Sequence, residues 1–443
     1  MCRLATRYLL GMRMPIILIL LLSLPVCVFA GDDDAWWTAG EVGSTERSDR
    51  FDYSTAYIPM RDSILLATDI YLPADRAPGE RFPTVLYQTR YIRSIEAIGL
   101  FRWLKHPIFG QIPEEEVRFW IRHGYAVVLV DVRGTGASTG VRPMEFSPAE
   151  VRDGAEVVDW IIDRSWSDGR IATTGISYLG TTAELLLVNQ HPAVKACIPR
   201  SNIFDLYHDI TMPGGVRHSA FIEEWKNTTL NLDTFNVRYF KHLYGDVLRG
   251  PSPVGSDKRR RIQRAARRQH RQNFDIFAAL DDFDARDEIH PDLDRPIEDY
   301  SISGWVDSIA GSGTPIYRIG GWWDGALSRS ALYGLRCTPN TERVVIGPWD
   351  HGPDQTISPF ASADTVRVDL LRDMLRFLNH HLRGVENGID TEPRIRYYTM
   401  GREAWSSSEV WPPEDVRNDT LMLTSSAGLR RGRARSRQHP DTL

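Results

Sequence analysis

Residues 170–190 read RIATTGISYLGTTAELLLVNQ, and this stretch decides the fold. Its first half, RIATTGIS, is apolar and β-branched and reads as a strand that runs into a turn at Gly175-Ile176-Ser177. Its second half, TTAELLLVNQ, has the composition of a helix. A serine held on a sharp strand-to-helix turn is pushed out at the carboxyl edge of a sheet, with the first backbone N–H of the helix beside it. Serine is a weak nucleophile, so it needs a base for its proton and donors for the oxyanion formed on attack. The glycines belong to the same device, because side chains beside so tight a turn collide. The second glycine, Gly180, stands three residues after the serine instead of the usual two, with Leu179 in between.

Working outward, short apolar runs alternate with helical stretches. ILLATDIYL (64–72), PTVLYQ (83–88), YAVVLVDV (125–132), VKACIP (194–199), TPIYRIGG (314–321) and ERVVIGPW (342–349) are strand candidates. Continuous apolar runs of this kind suit strands covered on both faces. Residues 148–164 and about fifteen residues from Val368 to Leu382 have helical spacing. The alternation predicts an α/β class with a parallel sheet wrapped by helices, and together with the serine turn the expectation is the α/β-hydrolase fold. Its core is expected in two parts, 31–201 and 310–384, around a helical, aromatic-rich cap over 202–309. From residue 385 a new β segment is expected to open, and the arginine-rich stretch from Leu429 onward reads as that β domain cut short.

Two further segments complete a catalytic set. GGWWDG (320–325) and GPWDHG (347–352) each put a polar candidate just past a strand end, where α/β sheets build sites. The order Ser177, Asp324, His351 is that of the α/β-hydrolases. Asp324 is expected to accept the imidazole N–H of His351, and His351 to take the Ser177 proton. The oxyanion hole draws on the Tyr178 backbone N–H and needs a second donor; after the strand 83–88 the Tyr91 phenol is a candidate, and packing at the domain rim is the other reading for it. Asp350, adjacent to His351, is set aside as a local hydrogen-bond former, and Asp131 as turn chemistry with Gly134 and Gly136. His191, His380 and His381 read as surface residues. Trp225, Trp305, Trp322 and Trp323 are candidates to line an apolar acyl pocket, and ordinary packing is an equal reading for them. A substrate ammonium would call for carboxylates, and Glu223, Glu224, Glu298 and Asp299 are the cap candidates.

Bulk properties agree with a globular protein. The hydrophobic share is 42%, the charged share 25% and the net charge −5, which gives no reason to expect nucleic acid as a partner. The basic run 257–272 reads as a solvated cap helix. The start of the chain carries Arg3, Arg7 and Arg13, then an apolar run to Ala30, then an acidic GDDD. That is the layout of a signal peptide over 1–30, cleaved after Ala30, which implies export to the periplasm or beyond and no membrane contact afterwards. An uncleaved anchor is the weaker reading, since the run is short and Pro25 breaks it. Cys197 and Cys337 remain, read as separate thiols, with a disulfide permitted by an exported compartment.

The ordered motifs IPMRDSILLATDIYLP (58–73), DVRGTGAS (131–138), GISYLG (175–180), GGWWDG and GPWDHG together resemble the CocE/NonD hydrolases, relatives of the Xaa-Pro dipeptidyl peptidases and α-amino-acid ester hydrolases. The resemblance runs from about Tyr57 to about Pro413 and accounts for the displaced Gly180. It implies a hydrolase core, a helical cap and a C-terminal jelly roll of which only the opening is present. It implies the same triad and the same oxyanion pair. The expected function is cleavage of an ester or amide in a small-molecule or peptide acyl substrate through an acyl-enzyme, without metal or organic cofactor. Xaa-Pro dipeptidyl peptidase or amino-ester hydrolase activity is the alternative. An inactive remnant or a binding protein on a hydrolase scaffold is the reading from another class.

Overall fold

The structure is a computed structural model, and it describes residues 42–43, 46–97, 109–110, 112–236, 239, 248–275, 285–352, 358–360, 368–423 and 428–431. The leader over 1–30 and most of the arginine-rich stretch lie outside the described residues.

One ten-stranded sheet organises the chain, in the order β1-β2-β6-β3-β7-β8-β10-β11-β12-β13. Its strands are β1 (Phe51–Pro59), β2 (Leu65–Pro73), β3 (Phe82–Thr89), β6 (Ala126–Asp131), β7 (Ser167–Ile176), β8 (Val194–Arg200), β10 (Ile316–Gly321), β11 (Thr341–Gly347), β12 (Ile395–Thr399) and β13 (Ala404–Ser408). The run from β6 to β12 is parallel. The edges are antiparallel, where β1 pairs β2, β2 pairs β6 and β12 pairs β13. Burial follows topology. Every residue of β3 and β6 is buried, whereas the edge strand β1 alternates.

Helices cover both faces. They are α1 (Glu114–Arg122), α2 (Pro148–Ile162), α3 (Tyr178–Leu185), α4 (Ser219–Asp233), α5 (Arg261–Gln269), α6 (Val306–Gly311), α7 (Leu327–Cys337) and α8 (Leu370–Arg383). The Ser147 hydroxyl caps α2 by accepting the Glu150 N–H, and Asp369 caps α8 by accepting the Arg372 N–H. Gly384, at φ 68°, ends α8 in the left-handed region that favours glycine.

Between β8 and β10 lies the insertion that holds α4, α5 and α6. It has its own small apolar cluster of Leu206, Ile222, Leu293, Ile297 and Tyr300 with Met144. It is not wholly helical. Residues Leu248–Pro251 form a short strand, β9, against β4 (Ser94–Ala97), which also pairs β5 (Phe109–Gly110).

The segment expected to open a separate β domain differs from that expectation. Residues 395–408 supply β12 and β13 of the central sheet, with Ile395 buried opposite Val344. Beyond them β14 (Leu421–Leu423) and β15 (Leu429–Arg431) form a small hairpin. Cys197 is buried and Cys337 exposed, and both are free thiols.

The sheet order places a topological switch between β3 and β7. The chain goes from β3 to β6 on one side, then back to β7 on the other. Crevices outside the carboxyl ends of strands at such a point are where open α/β sheets bind ligands. Tyr91 follows β3 and Ser177 follows β7, so the two flank this crevice.

Candidate active site

Ser177 stands between β7 and α3 with φ 63° and ψ −122°. A non-glycine residue here is strained, and the surroundings over-determine it. Its N–H donates to the Arg200 carbonyl at 2.9 Å, and its own carbonyl accepts the Thr181 N–H at 2.9 Å. The displaced glycine has a steric reason. A Cβ on Gly180 would lie 2.7 Å from the Arg200 oxygen and 2.8 Å from the Gly175 oxygen. One on Gly175 would lie 2.3 Å from the Leu179 Cβ. Tyr178 opens α3, so its backbone N–H has no acceptor within the helix.

Asp324 and His351 come from the loops after β10 and β11, two adjacent strands. The loops are laced together, with the Trp322 N–H donating to the Gly347 carbonyl and the Trp323 N–H to the Trp349 carbonyl, each at 2.9 Å. Across them His351 Nδ1 lies 2.7 Å from Asp324 Oδ1. Asp324 is buried. The imidazole is exposed, with 49% of its side-chain surface open to solvent. Desolvation works against its protonation, but the Asp324 hydrogen bond and charge outweigh it, with Asp350 adding, so the His351 pKa lies above the usual value.

The loop after β3 carries Tyr91 between two fully buried arginines. Arg90 bonds Glu145 at 3.2 Å and Asp233 at 2.9 Å. Arg93 pairs with Asp69 at 2.9 Å and Asp131 at 3.1 Å. Between them Ile92 has φ 72°, an outlier for a β-branched residue that such clamping makes affordable. The Tyr91 phenol accepts the indole N–H of Trp225 at 2.9 Å, and its ring packs edge-on against Tyr178 with centroids 5.9 Å apart. Burial pushes its pKa up, while the Arg90 charge and the Trp225 hydrogen bond pull it back.

Beneath the elbow, the Tyr178 hydroxyl donates to Glu150 at 2.7 Å, and its ring stacks on Phe146 with centroids 4.3 Å apart. Burial lifts the Glu150 pKa to about 7 against the opposing Tyr178 hydrogen bond. Neither the arginine pair nor this acid was foreseen. Two arginines flanking the tyrosine directly after an apolar strand were the available signal.

The four tryptophans separate. Trp225, on α4, touches Tyr91. The Trp322 indole donates to the Tyr398 carbonyl at 2.8 Å and packs near Trp411, while Trp323 is half exposed beside Met400. Trp305 donates to the Asp299 carbonyl at 2.8 Å. Among the acidic candidates, Glu298 pairs with Arg286 at 2.7 Å, Asp299 lies 3.7 Å from Arg295, Glu223 is exposed and Glu224, beside Trp225 on α4, is half-buried.

Of the residues set aside, the histidines read as surface residues are only partly exposed, with 13% of the His191 and 14% of the His381 side chain open to solvent. Asp131 accepts the Arg93 and Ala137 N–H groups and so organises its loop, with a Cβ on Gly136 barred by its carboxylate at 2.2 Å. Asp350 accepts the Gly352 N–H. His191 and His381 pair with Asp159 and Glu342, and His380 bonds the Val385 carbonyl. In the basic run, Arg260 pairs with Glu96 and Arg267 caps the end of α4 at the Thr234 carbonyl.

Comparison with known proteins adds a second line. The family model described as X-Pro dipeptidyl-peptidase (S15 family) matches residues 62–353. A Mycobacterium tuberculosis protein named for a serine esterase activity is 36% identical over 413 residues, covering 86% of this chain and 65% of that protein. The cocaine esterase of a Rhodococcus species is 26% identical, covering 84% of this chain and 62% of the esterase. The chain thus spans about two thirds of the length of these relatives. Among solved structures, a CocE/NonD family hydrolase from Staphylococcus aureus superposes with a TM-score of 0.63 at 19% identity, covering 86% of this chain and 60% of that one. That likeness is one of fold.

Proposed function

From the premise that the chain belongs to the S15 family of X-Pro dipeptidyl-peptidases, we propose that it is a serine hydrolase that cleaves an ester or amide acyl bond through an acyl-enzyme. The observation that carries this is the 2.7 Å bond between Asp324 and His351, made beyond the carboxyl ends of β10 and β11, in the same parallel run as β7 with β8 between. The Ser177 oxygen attacks the acyl carbon, and its proton passes to His351 Nε2. Asp324 holds the other ring proton and stabilises the imidazolium. The oxyanion draws on the Tyr178 N–H and the Tyr91 O–H. His351 then protonates the departing alcohol or amine, and a water, deprotonated by the same ring, releases the acid and restores the serine.

Relatives carry names from both sides of the ester–peptide divide, including a Bacillus anthracis protein named as an Xaa-Pro dipeptidyl-peptidase, 29% identical over 331 residues. We favour a general acyl esterase or amidase here. Two of the four acidic candidates for a substrate ammonium, Glu298 and Asp299, face Arg286 and Arg295, and Leu179, beside Tyr178, offers no charge. The leader favours action after export.

The test is labelling with a fluorophosphonate, followed by a panel of p-nitrophenyl esters, Xaa-Pro amides and free-amine amides. Covalent label on the wild-type chain and none on Ser177→Ala is the expected result. Equal labelling of the two proteins, or none on folded wild type, sinks the reading.

A further inference from the structure

Trp225 was a candidate wall of an acyl pocket, but its indole does something more specific. An indole has a single polar hydrogen and no acceptor, so in the 2.9 Å contact with Tyr91 the tryptophan donates and the phenol oxygen accepts. That fixes the phenol. A tyrosine hydroxyl can turn its proton to either side of the C–O axis, near the ring plane, and an oxyanion donor whose proton points elsewhere is useless. With the Trp225 hydrogen occupying one side of the oxygen, the Tyr91 proton is turned away from the indole. The Tyr91 ring packs edge-on against Tyr178, the residue after Ser177, with centroids 5.9 Å apart. Accepting a hydrogen bond also polarises an O–H and makes it a stronger donor.

The support for this indole is built into the fold. Trp225 lies on α4, and two turns further on the same helix ends at Asp233, which is buried. Asp233 bonds Arg90 at 2.9 Å and Arg142 at 3.0 Å, and both arginines belong to the core. Arg90 closes the circle, with its guanidinium carbon 5.0 Å from the Trp225 ring centre and 6.0 Å from that of Tyr91. One buried cation therefore anchors the cap helix and stacks on both partners of the hydrogen bond.

We propose that Trp225 is a positioning residue of the oxyanion hole. The inserted cap, through this indole, aims the Tyr91 proton at the reacting centre, so that a properly seated cap is a condition of transition-state stabilisation. The inference rests on the serine hydrolase reading above and deepens it.

A double-mutant cycle on the full chain tests it, using Trp225→Phe, Tyr91→Phe and the pair. The readouts are the second-order rate of Ser177 phosphonylation and kcat and KM on the best p-nitrophenyl ester. Trp225→Phe keeps an apolar ring and removes the N–H. It is expected to slow phosphonylation and kcat about tenfold, the scale of one hydrogen bond, with KM little changed. Tyr91→Phe is expected to cost about a hundredfold or more. In the pair the loss should equal that of Tyr91→Phe alone, because an indole that acts only through the phenol has nothing left to aim. Trp225→His, which retains a ring N–H, should recover part of the rate. If Trp225→Phe costs the same factor with and without the phenol, and Trp225→His is no better, the indole acts as a wall or as packing and the proposal fails. Labelling that persists in Ser177→Ala would instead strike the hydrolase reading itself.

Discussion

His351 Nδ1 and Asp324 Oδ1 lie 2.7 Å apart although 27 residues separate them in sequence, and the carboxylate is buried while the imidazole half faces solvent. The pair is therefore oriented from its closed side. Replacing the carboxylate by an amide keeps the shape and reverses the logic, since an amide N–H facing Nδ1 favours the wrong tautomer. Asp324→Asn is expected to lower kcat/KM by about 10³–10⁴ with the unfolding midpoint close to wild type. A loss under tenfold would remove Asp324 from the mechanism.

The same contact sets a pH dependence. His351 must be neutral to take the Ser177 proton, and Asp324 holds its pKa above the usual value. Activity should therefore rise with pH along a limb centred above about 6.5, the ordinary histidine pKa. In Asp324→Asn the residual activity should show that limb at lower pH, because the charge and hydrogen bond that raised it are gone. Profiles of kcat/KM between pH 5 and 9 decide the point, and a limb unmoved by the substitution would assign it to another group.

Ser177 pays for its position in backbone strain. At φ 63° and ψ −122° a glycine is comfortable and an alanine is not. Ser177→Gly should therefore be more stable than Ser177→Ala by about 1 kcal/mol, after the roughly 0.5–1 kcal/mol that glycine flexibility costs in the unfolded chain. Both should be inert to fluorophosphonate. Urea midpoints that rank alanine above glycine would mean the elbow is relaxed.

Much of this site was legible beforehand, for identifiable reasons. The strand, Gly175, Ser177 and the following helix are local signals, set by side-chain period and turn sterics. The Asp324 and His351 loops follow apolar runs that declare their own ends. What stayed hidden was non-local. The Trp225–Tyr91 bond spans 134 positions, and no periodicity marks it. Arg90 and Arg93 drew no reading at all, because burial of an arginine depends on Asp233, Asp69 and Asp131 arriving from elsewhere. Residues 395–408 misled for another reason. An alternating strand reads the same whether it opens a new domain or extends an existing sheet.

Arg93 allows a stability test of that hidden frame. It is fully buried between Asp69 and Asp131 and also donates to the Ser252 carbonyl at 3.0 Å. Arg93→Met preserves volume but leaves two buried carboxylates facing each other without a cation. The expected cost is about 3–5 kcal/mol. Adding Asp69→Asn and Asp131→Asn to that variant should recover part of it, since the uncompensated charge is the main penalty. If the triple variant is no more stable in urea than Arg93→Met, loss of packing is the cause.

Glu150 supplies a dependence of opposite origin. It is buried under the elbow, accepts the Tyr178 hydroxyl at 2.7 Å, and burial lifts its pKa from 4.5 to about 7. A carboxyl raised in this way holds a proton in the native state that the unfolded chain has already lost. Its contribution to stability is complete below pH 4.5 and drains away as pH rises through about 7. Above that the native state must carry a buried anion. Glu150→Gln keeps an oxygen for the Tyr178 hydroxyl and carries no charge at any pH. It should change stability little below pH 4.5 and raise it at pH 8, by up to about 3.5 kcal/mol on the conversion of roughly 1.4 kcal/mol per pKa unit. Unfolding midpoints for both proteins at pH 5, 6, 7 and 8 should therefore diverge steadily towards the alkaline side. Parallel curves would mean that the anion is already compensated in the native state and that Glu150 titrates like an exposed acid.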